Sequence, residues 1–332
     1  MLCINDHHTD PYFNLAAEEY VLKNFSENFF MLWRNEPSVI VGRHQNSLAE
    51  INVDFVRENN IKVVRRLTGG GAVFHDLGNI NFTFIESVRG ENLIDFQKYT
   101  KPIIEVLQQL GVDARFEGRN DLTIEGRKFS GNSEHVYRNR VLHHGTLLYD
   151  SVLTDLSGAL KANPAKFNDK AVKSVRSRVT NISEHLPKAL ELEKFRDLVF
   201  SHVLENYPDS EAYDYTEQDI AGINRLRDEK YSRWEWNFGQ SPNYNMIKSI
   251  RSGGGHIEVH LDVQNGFINQ VRIFGDFFNI GDIGDIELLL ANTPHKEADI
   301  RKKLDQIALS DYLVNVTPDE LINLIAPTPD LP

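Results

Sequence analysis

The segment 61–76, IKVVRRLTGGGAVFHD, runs a β-rich stretch directly into three consecutive glycines. A chain with this feature has to end a strand in a loop of bare backbone. Two glycines would serve a tight turn, so the third asks for another cause. The run is not a P-loop, because no GxxxxGK[ST] is present, and it is not a GxGxxG fingerprint, because Phe74 stands where the last glycine would be. Backbone N–H groups in such a loop form an anion nest. Arg65 and Arg66 stand at its entrance and suit the same charge. An anion-binding loop is therefore favoured over a plain turn. A second triple, Gly253–Gly255 in RSGGGHIEVH, shows how little glycines say alone. There, strand alternation predicts Ile257, Val259 and Leu261 on one face and His256, Glu258 and His260 on an exposed face. HIEVH is not HExxH, because Ile257 stands where the glutamate would be.

Other patterns place chemistry near the first loop. DLTIEGRKFSG reads as a hairpin turning at Glu125–Gly126. Alternation then puts Lys128 and Ser130 on one face and Arg127 and Phe129 on the other. Asp121 can hold a metal ion or the lysine. His143 and His144 are adjacent on a strand, so only one of them can line a given pocket. The chain lacks GxSxG, and its one thiol, Cys3, is far from every motif. An anion site without a protein nucleophile implies that the attacking atom belongs to the substrate.

Composition narrows the setting. With 41% hydrophobic and 25% charged residues over 332 positions, the chain is globular and long enough for about two domains. No stretch approaches the ~20 apolar residues of a membrane span, and the N-terminus lacks leader character. One cysteine fits a reducing compartment, so a cytoplasmic protein is expected. A net charge of −12 disfavours nucleic acid. The exception is the basic segment 160–180, which carries Lys161, Lys166, Lys170, Lys173, Arg176 and Arg178 against Asp169 alone. It lacks an apolar period and reads mostly as loop.

Periodicity predicts a first helix capped by Thr9 or Asp10 with Pro11 at its start, and short strands at FFMLWR, SVIVGR and IKVVRR. NINFTFI alternates, with Ile80, Phe82 and Phe84 inward. A helix is expected over 92–110, started or kinked by Pro102 and stopped by Gly111. Another covers 191–207, with Leu192, Phe195, Leu198, Val199 and Val203 on one face. A linker is expected around 237–250, then a hairpin at Asn265–Gly266 and helices near 284–292 and 296–309. Without regular βαβ alternation, residues 1–240 read as an α+β domain on a mixed sheet, followed by a small α+β domain, 241–332.

RRLTGGGAVFHDLGNINFTF, GRNDLTIEGRKFSG, HHGTLL, KSVRSRVTNI and WEWNFGQ occur here in the order found in lipoate–protein ligases, which the chain resembles over nearly its whole length. The resemblance implies a biotinyl/lipoyl protein ligase-like fold and two half-reactions: lipoate and Mg-ATP give lipoyl-AMP and pyrophosphate, then a carrier lysine takes the lipoyl group and AMP leaves. It implies that Lys128 is catalytic, bridging acyl oxygen and α-phosphate, and that Arg66 and the backbone of Gly71, Ala72, Val73 and Phe74 bind ATP. It further implies that Arg65, Gly70, His75 and His144 join Lys128 in holding lipoate, that Asp121 meets Mg2+ through the nucleotide phosphates, and that Lys173, Arg176 and Arg178 belong to an adenylate-binding loop. Thr68 keeps a hydroxyl where many relatives carry a small or hydroxyl residue. The implied partners are lipoyl carrier domains, of 2-oxoacid dehydrogenase E2 subunits or of the glycine cleavage H protein. A transferase of the same fold would need Cys3 as acyl carrier, and a non-catalytic carrier-binding protein would have no need of Lys128.

Overall fold

The computed structural model describes residues 1–88, 94–160, 179–207, 209–238, 246–264 and 266–326. Lys173, Arg176 and Arg178, with most of the basic segment, lie outside the described residues. The strands are β1 (Leu2–Asn5), β2 (Phe29–Trp33), β3 (Ser38–Val41), β4 (Lys62–Arg65), β5 (Val73–His75), β6 (Asn79–Ser87), β7 (Ala114–Glu117), β8 (Asp121–Ile124), β9 (Arg127–Tyr137), β10 (Arg140–Leu148), β11 (Glu211–Ala212), β12 (Met246–Ser252), β13 (Gly255–Gln264) and β14 (Phe267–Gly275). An eight-stranded mixed sheet has the order β11-β1-β2-β6-β10-β9-β8-β7, and β4-β3-β5 form a small second sheet. No described helix is long and apolar enough to cross a membrane.

Alternation assigns the two faces of the large sheet. Ile80, Phe82 and Phe84 join Tyr99, Ile103 and Leu107 of helix Phe96–Gln109 and Phe195, Val199 and Val203 of helix Leu192–Asn206 in one core. The other face of β6 is buried as well: Asn81 and Thr83 lie under the first helix, α1 (Pro11–Asn24). Its polar residues are enclosed because they line a site. Asp10 caps α1 by accepting from the Tyr12 N–H, with Pro11 at the first turn. α1 is buried nearly all round and takes two carboxylates, Glu18 and Glu19, inside with it.

Helix Phe96–Gln109 starts at the Asp95 cap, later than its pattern suggested, and Pro102 sits within it. Gly111, at φ +82, ends it: its N–H reaches the Gln108 carbonyl and the Val112 N–H that of Leu107. On helix Leu192–Asn206, Leu198 is exposed and Arg196 is buried, because Arg196 donates to the Asp6 carbonyl.

The β12-β13-β14 antiparallel sheet carries helices Ile283–Leu290, Glu297–Leu304 and Pro318–Ile325 over a second core. β12 begins inside the expected linker, and Asn237 belongs to the first unit, donating to the Tyr231 carbonyl. The second glycine triple is the β12–β13 turn. His256 and His260 are buried, contrary to the exposed face expected of them. His260 pairs with Glu258 at 2.5 Å and meets Phe274 edge-on. Close by, the Gly275 N–H donates to the His44 carbonyl, and His44 stacks on Phe277 with ring centroids 4.8 Å apart.

Candidate active site

Cross-strand register lays out the floor of a cleft. Trp33 pairs with Asn81, Asn81 with Thr146, and Gly131 with Asp121; Gly145 pairs with Asn132, which sets Thr146 beside Gly131. Paired residues share a face, so these side chains form one row across β2, β6, β10, β9 and β8. The next row holds Thr83, His144 and Ser133. The small sheet supplies the roof, with Ile40 and Val73 paired and His75 two residues on. The cleft between them, about 630 Å³ with its mouth, is also lined by Leu15, Arg66, Gly70, Gly71, Ala72, Asn120 and Lys128.

Lys128 reaches the cleft through a bulge. Leu122 pairs with Ser130 but Thr123 pairs with Lys128, so Phe129 is an extra residue in β9. The bulge breaks the alternation. Lys128 shares its face with Gly131, while Ser130 turns away and accepts from the Asn132 amide. A Cβ on Gly131 would stand 3.0 Å from the Lys128 Nζ, so the glycine lets the lysine lie close across the strand. Lys128 Nζ is 2.6 Å from Asp121 Oδ1, both half-exposed. The Thr180 N–H donates to the Lys128 carbonyl, so the chain resumes after the basic segment directly beside this lysine.

The glycine loop is held from behind. Arg66 is 5% exposed and donates to the carbonyls of Gly69, Gly71 and Ile40 and to the Thr68 hydroxyl. Burial pulls its guanidinium down to about 10, so it stays charged at neutral pH and puts a cation under the loop. Thr68 passes its hydroxyl proton to His144 Nε2 at 2.8 Å, and His144 Nδ1 donates to Glu18 at 2.9 Å. Of the adjacent histidines, His144 is the one lining the cleft. Gly70 has φ +87, a left-handed conformation that suits glycine. At Gly69 a Cβ would lie 2.1 Å from the Phe277 carbonyl, so what approaches that backbone most closely is the chain's own C-terminal unit.

One expectation here needs correction. Arg65 does not face the cleft. It is fully buried and donates to the carbonyls of Gly42, Arg43, Gln45, Trp236 and Asn237 and to the Ser47 hydroxyl. Adjacent residues on a strand point apart, and Arg65 took the inner side. Phe74 sends its ring into the core with Val39 and Val63, and its backbone, the part expected to meet the nucleotide, stays near the loop. Sequence reasoning passed over Glu18, Trp33, Asn81 and Asn120. Only the polar phase of the NINFTF alternation hinted at one of them, Asn81.

His143 points to the opposite side of the sheet, against Tyr99, and pairs with Glu134 at 2.9 Å. Burial pushes the Glu134 carboxyl up to about 8 and holds His143 well below the usual imidazole range. An acid raised on folding costs stability as pH rises from its unfolded value, 4.5, to about 8, and nothing more beyond that. Glu134→Gln should remove this slope. Thermal midpoints of the two proteins, followed from pH 5 to 8, should diverge in favour of the variant; parallel curves would contradict the assignment.

Residues 10–204 match the family model described as the lipoyl protein ligase A/B catalytic domain, and residues 241–325 match the bacterial lipoate protein ligase C-terminus. The lipoate-protein ligase LplJ of Bacillus subtilis (strain 168) is 42% identical over 328 residues, covering 97% of this chain and 98% of the relative. Among solved structures, a lipoate-protein ligase A bound with ATP superposes with a TM-score of 0.64 at 26% identity, covering 72% of this chain and 99% of that one. A bi-partite lipoate protein ligase from Thermoplasma acidophilum, described with its E2 lipoyl domain, gives 0.64 at 29% identity, covering 74% and 98%. The catalytic-domain match spans more than half of the chain and the Bacillus relative nearly all of it, so the chain belongs to the lipoate–protein ligase family of enzymes.

Proposed function

We propose that the cleft activates lipoate with ATP and then passes the lipoyl group to a lysine of a carrier domain. The observation that carries this is one cation, Lys128, placed between a glycine loop backed by Arg66 and the open end of an otherwise mostly apolar cleft. The first step joins two anions, because the lipoate carboxylate attacks the α-phosphorus and expels pyrophosphate. Lys128 leaves Asp121 and bridges the acyl oxygen and the α-phosphate, neutralising charge that grows in the transition state. Arg66 and the Gly71–Phe74 backbone N–H groups steady the nucleotide, and Gly70, His75 and His144 border the acyl chain. In the second step the carrier ε-amine attacks the acyl carbon, the amide forms, and AMP leaves with the bonding pair. Asp121, with the nucleotide phosphates, would hold Mg2+, which supplies further positive charge on those oxygens. No group of three His, Cys, Asp or Glu occurs among the described residues, and this suits an ion that keeps water and phosphate ligands. Lys173, Arg176 and Arg178 would close over the adenylate, excluding water. Residues 1–240 carry the chemistry and 241–332 form the accessory unit.

The carrier is an E2 lipoyl domain or a glycine cleavage H protein. Incubation of the enzyme, lipoate and Mg-ATP with each apo-carrier should add one lipoyl mass to one lysine. No addition to either carrier refutes this reading. The cysteine-dependent alternative is disfavoured: Cys3 is fully buried, and burial pushes its thiol up to about 11. Cys3→Ala should turn over within about twofold of wild type, since an inert buried thiol contributes only packing. Loss of carrier modification in a folded variant would revive the transferase.

A further inference from the structure

The ligase reading leaves open how the cleft tells one acyl tail from another. The end of the cleft away from Lys128 carries the relevant feature. Asn81 stands two strands from Gly131 in the cross-strand row, about 10 Å along the floor at ordinary strand spacing. Trp33 is its neighbour on β2, and His75 meets the Trp33 ring edge-on with centroids 6.1 Å apart. Trp33, His75 and Asn81 thus close the far end.

Two polar atoms there are buried without a partner: His75 Nε2 and Asn81 Nδ2. His75 is 3% exposed and Asn81 is 1% exposed. Both line the cleft, and none of the other partnerless buried side-chain atoms among the described residues belongs to a lining residue. Their hydrogens can be assigned from their neighbours. Asn14 Nδ2 faces the His8 and Arg34 carbonyls, so it is the amide nitrogen that also donates to Asn35 Oδ1. Asn35 Nδ2 then donates to His75 Nδ1, at 3.0 Å. Nδ1 is an acceptor, so the proton is on Nε2. Burial, with Arg66 adding to it, lowers His75 to about 3, which keeps the ring neutral. Asn81 Oδ1 accepts from Asn79 Nδ2, so the partnerless amide atom of this lining residue is the donor, Nδ2.

We propose that His75 and Asn81 are specificity-determining residues that select an acyl tail ending in a hydrogen-bond acceptor, the dithiolane sulfurs of lipoate, over a saturated tail such as octanoate. This rests on the ligase reading. A methyl-ended chain leaves both buried N–H groups without a partner, whereas sulfur lone pairs accept from them. A site built to hydrogen-bond its substrate rejects the analogue that lacks the partner.

The test uses the full chain with Mg-ATP and measures kcat/KM for pyrophosphate release with lipoate and with octanoate. Wild type should favour lipoate by about tenfold or more. Asn81→Leu, which removes the donor at similar volume, should cut that ratio by at least about threefold by raising octanoate relative to lipoate. His75→Leu should act in the same direction. Each ratio is taken within one preparation, so a loss of folded protein cancels, and the wild-type ratio depends on no variant. Equal efficiency with both acids in wild type overturns this inference alone, as does a variant that slows both acids alike. Release with neither acid overturns the ligase reading and this inference with it.

Discussion

Lys128→Ala should release pyrophosphate about 100- to 1,000-fold more slowly than wild type, with lipoate and ATP saturating. The expected loss is kinetic. Among the described residues, Lys128 is the one cationic side chain that reaches the open cleft, because Arg66 is committed to carbonyls of the loop it supports. Its resting partner, Asp121, is half-exposed, and such a pair is worth about 0–1 kcal/mol, so the thermal midpoint should barely move. Lys128→Arg should restore little, because a planar guanidinium fork does not reproduce the compact ammonium point charge. Near wild-type release by Lys128→Ala would remove the proposed role. A folded variant that fails only in carrier modification would place the lysine in the second step alone.

Arg65→Met should give the opposite pattern. It strips the donors from five carbonyls and the Ser47 hydroxyl, joining β4 to residues more than 170 positions away. Breaking a buried network of this kind costs about 3–5 kcal/mol. The denaturant midpoint should fall accordingly, while KM for lipoate in the folded fraction stays within about threefold, because the side chain does not border the cleft. A stable Arg65→Met protein with a much raised lipoate KM would return Arg65 to the binding site. The two neighbouring arginines would then have been divided wrongly.

That pair shows where the sequence is legible and where it is not. The strand that ends in glycines, the hairpin that presents Lys128, and the rule that only one of His143 and His144 lines a pocket are all local. Each follows from two-residue periodicity or turn chemistry, and each stands in the structure. Which of Arg65 and Arg66 faces inward depends on Trp236 and Asn237, far along the chain. Likewise, alternation alone placed Ser130 beside Lys128, and the single extra residue at Phe129 reversed that. The polar phase of β6 read as a solvent face until α1 and the small sheet covered it. Gly69 is bare partly for Phe277, which packs against the loop from a separate unit. Except at the bulge, which lies within one hairpin, the deciding contact is long-range.

The central claim, that this cleft makes an acyl adenylate without a protein nucleophile, is tested most directly by a single-turnover reaction lacking any carrier. Enzyme, lipoate and Mg-ATP are mixed, quenched, and analysed for lipoyl-AMP and pyrophosphate. Lipoyl-AMP should accumulate to about one equivalent per active site, matched by pyrophosphate and dependent on lipoate. Pyrophosphate without adenylate, or a lipoyl group covalently attached to the enzyme itself, would contradict it.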